Sequence, residues 1–184
     1  MRTKIGVMGS AAPDSARLET GKAVVEKAEQ LGGAIAKRDA VLLTGATTGL
    51  VYVAGKAAHD AGCFHVGISP GSNKDEHVEL YKLPLDACDT IVYTGFGLKG
   101  RNVVLVRSCD VVLFIAGAMG SLNEFTIAHD EGKIIGCLTG TGGVADEVDF
   151  LLQKFGKRLT RALVFQNEDP EQLLDECIQA VPSQ

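Results

Sequence analysis

Seven short runs of branched and apolar residues recur along the chain: KIGVMG around Ile5, AVLLT around Leu42, FHVGIS around Val66, TIVYT around Val92, DVVLFIA around Leu113, KIIGCL around Ile135 and ALVFQ around Val164. Each is of strand length, and most are apolar at consecutive positions rather than at alternate ones. That is the pattern of strands covered on both faces. Between the runs the period changes. Leu18, Val24, Val25, Ala28 and Leu31 recur at helical spacing, as do Leu173, Leu174, Cys177, Ile178 and Val181 near the far end. Val144, Val148, Leu151, Leu152 and Phe155 form a further helical set. Asp169 before Pro170, with Gln172 three residues on, marks a helix start. Strand and helix thus alternate, which predicts βα units and an α/β domain built on a parallel sheet. Residues 71–89 are the least regular, and Gly71, Ser72, Asn73 and Lys74 read as a mobile loop.

The length of 184 residues fits a single domain over 1–184, and neither a Pro/Ser-rich linker nor an internal repeat divides it. Twenty-two glycines and no tryptophan indicate many tight turns and close backbone approaches. A net charge of −5, with no run of Lys or Arg, argues against nucleic acid or an anionic membrane as partner. The five cysteines (Cys63, Cys88, Cys109, Cys137 and Cys177) make no C-x-x-C pair and read as free buried thiols, with no metal site. The start lacks a signal-peptide core, and no apolar stretch reaches the roughly 18 residues of a membrane span, so a cytoplasmic protein is expected.

Three of the strand ends run into glycine-rich turns. MGSAAPDS carries Gly9 and Ser10; LTGATTGL carries Gly45, Thr48 and Gly49; IAGAMGSLNE carries Gly117, Ala118, Met119, Gly120, Ser121 and Glu124. In a parallel sheet all strand carboxyl ends share one edge, and ligands bind there at the reversal of strand order. Helix amino termini at that edge offer free N–H groups to an anion, and Gly lets it approach the backbone. The three turns together point to a phosphate-bearing ligand, although neither the dinucleotide fingerprint nor a P-loop is present. Arg101 and Asn102 follow GFGLKG, close after the TIVYT run, and an Arg there can reach the same edge and pair with an anion. Glu124 admits two readings. Ser121 to Glu124 has the spacing of a capping box, and a carboxylate in that turn can also face the ligand crevice.

Taken together, these residues resemble the Lonely Guy family, long mislabelled lysine decarboxylases, and the related molybdenum-cofactor carrier proteins. The family's P-G-G-x-G-T-x-x-E motif aligns with AGAMGSLNE, with Ser121 in place of Thr; Arg101 lies nine residues before Asp110, as the family's Arg lies before its motif strand. MGSAAP looks like the family's first Gly-Ser turn, and TGATTGLVYVAGKAAHDAG like its G-G-x-x-G-L-M segment. The resemblance runs from residue 4 to about 140. It implies a Rossmann-like, doubly wound parallel sheet of about seven strands with helices on both faces, and a homodimer or higher homo-oligomer. For function it implies one of two things. One is binding of a nucleotide or phosphorylated heterocycle, with the molybdenum cofactor as a carried ligand and no cofactor otherwise required. The other is hydrolysis of nucleoside 5′-monophosphates to base and ribose 5-phosphate. In the hydrolase picture Glu124 stabilises an oxocarbenium-like transition state, Arg101 assists, and the Gly/Ser turns hold the phosphate. Ala116 and Ala118 stand where the family has Pro and Gly, Asn102 where it has Lys, and Asn123 where it has an acid. These departures favour binding over hydrolysis, and nothing supports amino-acid decarboxylation.

Overall fold

A computed structural model describes residues 1–11, 21–157 and 159–182. Leu18 and the end of the first glycine turn, from Ala12 to Ser15, lie outside the described residues. The strands are β1 (Thr3–Gly9), β2 (Ala40–Thr44), β3 (Phe64–Ser69), β4 (Thr90–Tyr93), β5 (Val111–Ile115), β6 (Ile134–Leu138) and β7 (Leu163–Asn167). The helices are α1 (Lys22–Ala36), α2 (Gly49–Asp60), α3 (Gly97–Ser108), α4 (Met119–Asp130), α5 (Val148–Phe155) and α6 (Pro170–Gln179). All seven apolar runs of the sequence are strands. They form one fully parallel sheet in the order β4-β3-β2-β1-β5-β6-β7.

The chain winds outward from β1 to β4, returns to the middle, and winds outward again from β5 to β7. β1 and β5 are therefore neighbours, with Ile5 beside Val111 and Gly9 beside Ile115. Right-handed crossovers in opposite directions put the helices of the two halves on both faces. On one face α1, α2 and α6 cover Ile5, Val7, Leu42, Val111, Leu113 and Ile115. On the other, α3, α4 and α5 cover Met8, Leu43, Val112 and Phe114. Every residue of β5 is fully buried, so its run shows no polar alternation.

Two regions differ from the sequence pattern. The Val144–Phe155 set is not one helix: a 3₁₀ turn over Gly143–Asp146 precedes α5, because Gly142 and Gly143 have φ of +82° and +60°. Residues 70–89 hold one wide π-type turn, Glu76–Leu80, and are otherwise irregular. They are nonetheless tied down from inside. His65 Nδ1 bonds the Ala87 carbonyl, and its Nε2 meets Thr44 Oγ1 at 2.8 Å. His77 bonds the Pro84 carbonyl and the Ser69 hydroxyl.

Candidate functional site

The reversal of strand order lies between β1 and β5, where a crevice is expected in an open α/β sheet. Gly9, Gly45 and Gly117 follow the carboxyl ends of β1, β2 and β5, all on this one edge. A cleft of about 180 Å³ opens there. Its floor and polar wall come from Gly9, Gly45, Arg101, Asn102, Gly120, Ser121 and Glu124, and its apolar wall from Met8, Val51 and Leu98. Seven of the residues singled out in the sequence thus meet around one space, supplied by four different elements.

The three glycine turns prove unequal. The first two are knitted to each other. Thr48, the residue before α2, donates its hydroxyl to the Ala11 carbonyl, and Leu50 N–H donates to the Ser10 carbonyl. Gly49, at φ +71°, lies so close that a Cβ would come within 2.5 Å of Ser10 O. Gly9 is equally confined, since a Cβ there would sit 2.1 Å from Ile115 O. Ser10, Thr48 and Gly49 are thereby engaged in holding the turn rather than lining the cleft. Gly45 makes room for a side chain: a Cβ at this position would lie 1.6 Å from Arg101 Nη1.

The third turn is open. Ala118 precedes α4 in extended conformation and offers no capping side chain. The N–H groups of Met119, Gly120 and Ser121 have no acceptor among the described residues, so none of those residues answers the positive end of the helix dipole. Lys99 brings an ammonium to this end, about where a Cβ of Gly120 would be 3.7 Å from Nζ. The sequence reading missed Lys99, because a Lys in the first turn of a helix is ordinarily solvated. Its spacing of two residues from Arg101 was the available signal. Gly117 (φ +105°) and Ala116 (φ +52°) shape the turn. The loop after β6 braces it from behind: Thr141 Oγ1 accepts from Ala116 N–H, and Val144 and Ala145 N–H bond the carbonyls of Gly117 and Ala116. Gly117, Ala118 and Met119 form this turn without lining the cleft, and Met119 is exposed.

The capping-box reading of Glu124 is corrected. Ser121 lies in the third position of α4 and Glu124 in the sixth, so neither can serve the helix start. Glu124 is instead buried to 7 % exposure and faces the cleft. Arg101 is likewise buried, at 6 % exposure. The two do not form an ion pair within 4 Å, and Arg101 Nε has no hydrogen-bond partner among the described residues. Such an orphan is costly in a folded protein and calls for an external partner. Asn102, with its amide nitrogen turned toward Glu124, donates to Glu124 Oε1 and to the Leu98 carbonyl, both at 3.0 Å. Asn102 therefore holds the carboxyl rather than a ligand.

Electrostatics follow from this burial. Desolvation pushes the Glu124 carboxyl up to about 7, against the opposing pull of Arg101 and Lys99. Desolvation also lowers the Arg101 guanidinium from its ordinary value, with Glu124 opposing, but a guanidinium stays charged. The cleft thus holds an unpaired cation deep inside, a second cation at its rim, an open helix amino terminus, and a carboxyl that resists ionisation.

Comparison with known proteins agrees with this architecture. The family model described as the SLOG cluster4 family matches residues 2–174. An uncharacterized protein of Archaeoglobus fulgidus is 32 % identical over 135 residues, covering 73 % of this chain and 79 % of its own length. The solved structure of TM1055 superposes with a TM-score of 0.80 at 25 % identity, covering 96 % of this chain and 99 % of that one. The molybdenum cofactor binding protein of the phototrophic bacterium Rippkaea orientalis superposes with a TM-score of 0.73 at 25 % identity, over 98 % of each chain. With its switch-point cleft, its Arg101 and Glu124, and a family match spanning nearly its whole length, the chain belongs to the SLOG cluster4 family, within the Lonely Guy-like group that includes the molybdenum-cofactor carriers.

Proposed function

We propose that the cleft binds a phosphorylated heterocyclic small molecule, a nucleotide or a pterin-type cofactor such as the molybdenum cofactor. The observation that carries this reading is Arg101: a buried guanidinium whose Nε is unpartnered among the described residues, lining a cleft beside the open start of α4, which Lys99 flanks. A dianion on the N–H groups of Gly120 and Ser121 would satisfy that helix end and both cations. The apolar wall of Met8, Val51 and Leu98 suits a ring. The volume is below the roughly 300–1,000 Å³ of whole-ligand pockets, so the cleft takes the phosphate end of a ligand and leaves the ring at its mouth. The molybdenum cofactor binding of the Rippkaea orientalis relative supports the pterin alternative.

Native mass spectrometry of freshly purified protein, followed by calorimetry with phosphorylated and dephosphorylated forms of the ligand, tests the reading. The monophosphate is expected to bind at least tenfold more tightly than the neutral form, and Arg101→Ala to remove that preference. Equal affinity for both forms would refute the phosphate anchor.

A hydrolase reading has one specific support, the placement of Glu124 inside the same cleft. In that case the protein releases base from a nucleoside 5′-monophosphate, and Glu124→Gln loses about a hundredfold in rate. A panel of nucleoside monophosphates, assayed for free base, decides between carriage and cleavage. The proposed oligomer is a homodimer, with light scattering at micromolar concentration as its check.

A further inference from the structure

We infer that anion binding in this cleft is coupled to protonation of Glu124, so that the site loads at lower pH and releases at higher pH; the inference rests on the phosphate-anchor reading above. The geometry sets up the coupling. Glu124 shares the cleft with the open amino terminus of its own helix and with Lys99 and Arg101 of α3, yet among the described residues it has no cation within ion-pair distance. Its hydrogen-bond partner among the described residues is neutral: Asn102, with its amide nitrogen turned toward the carboxyl, donates to Oε1. From β1 and the turn after β2 it faces Met8, Gly9 and Gly45, none of which titrates. Among the described residues the remaining titratable group that senses it is Cys109, whose thiol burial pushes up to about 12 and keeps neutral.

Buried and unpaired, the carboxyl is balanced between its two forms near neutrality. A dianion arriving at Gly120, Ser121 and Lys99 adds negative charge to the same low-dielectric space and draws on the two cations that had favoured ionisation. Ionised Glu124 then repels the ligand, while the protonated form does not. The sign is therefore fixed. Affinity is greatest below the free-state value of about 7 and falls as pH rises through it. A phosphate ligand would bring its own proton equilibrium into this range, so the diagnostic probe is sulfate, which stays doubly charged.

Isothermal titration of the full chain with sulfate at pH 6, 7 and 8 tests the coupling. The dissociation constant is expected to weaken by up to about tenfold from pH 6 to pH 8. At pH 7, buffers of different ionisation enthalpy should reveal uptake of a fraction of a proton. Glu124→Gln should bind sulfate with the same affinity at all three pH values. A direct readout accompanies it: the Glu124 side-chain ¹³C resonance should titrate near neutrality in free protein and at higher pH with sulfate present, while the variant lacks this resonance. Sulfate binding of constant affinity in wild type would overturn the coupling and leave the anion site standing. Failure of sulfate to bind at any pH would overturn both.

Discussion

At Gly45 the missing side chain is occupied space, because the guanidinium of Arg101 lies where a Cβ would be. Gly45→Ala should therefore displace Arg101 and abolish phosphate preference while leaving the sheet intact; unchanged ligand affinity, with a crystal structure showing Arg101 in place, would count against this account. Glu124 allows a second test, in stability. Its folded value, about 7, exceeds its ordinary 4.5, so the folded state is penalised as pH rises between these values. Glu124→Gln should stabilise the ligand-free protein at pH 8 by an amount on the order of 2–3 kcal/mol, read as a higher melting temperature. A purely structural carboxylate would give the opposite sign. Arg101 and Glu124 could be singled out in the sequence because each follows a glycine turn after a strand. The emptiness at Gly45 could not, since it depends on a side chain 56 positions away in the chain. Nor could the true start of α4, because Ala118 carries none of the side chains that mark a cap.

Among the elements, α1 and α2 pack closely against each other. A Cβ on Gly32 would come within 2.2 Å of the Ala54 carbonyl, and Ala57 and Ala58 complete the contact. Gly32→Ala must push the helices apart, with an expected loss on the order of 1–3 kcal/mol measurable by denaturant unfolding; a neutral result would show that the pair can slide. The apolar pattern announced α1 and all seven strands, since periodicity is a local property. It said little about residues 70–89, whose order comes from contacts across the chain. Ala87 and Pro84 are held by His65 and His77, the first on β3 and the second in the wide turn. Desolvation lowers His65 to about 4 from its ordinary 6.5. Its contribution to stability is full above 6.5 and is lost as pH falls toward 4. Protection factors of the 84–89 backbone amides, corrected for intrinsic exchange, should fall over that window, and in His65→Gln this pH dependence should largely vanish.

On the scale of the whole molecule these two titrations oppose each other. Glu124 weakens the fold as pH rises from 4.5 toward 7, whereas His65 weakens it as pH falls from 6.5 toward 4. Their sum is nearly flat across the shared interval, so melting temperature of the wild type should change little there on account of this pair. Glu124→Gln should expose the His65 slope, and a variant whose profile stays flat would show that His65 does not titrate as its burial dictates. Among the described residues no helix is long and apolar enough to cross a membrane.

The pairing of β1 with β5 also has a consequence for how the protein is made. Asp110 N–H donates to the Lys4 carbonyl, Lys4 N–H donates to the Asp110 carboxylate, and the Lys4 ammonium meets the same carboxylate at 2.8 Å, across a sequence separation of 106 residues. On the ribosome, β1 must wait for this neighbour through roughly 5–20 s of elongation. Until then the nascent sheet has an unpaired apolar edge at what will become its centre, the kind of edge that invites pairing with another chain. The cleft has no existence during that interval, because one of its walls has not been translated. A pause introduced into the message between the codons for Tyr93 and Val111 should therefore lower the yield of soluble protein more than an equal pause placed after β5.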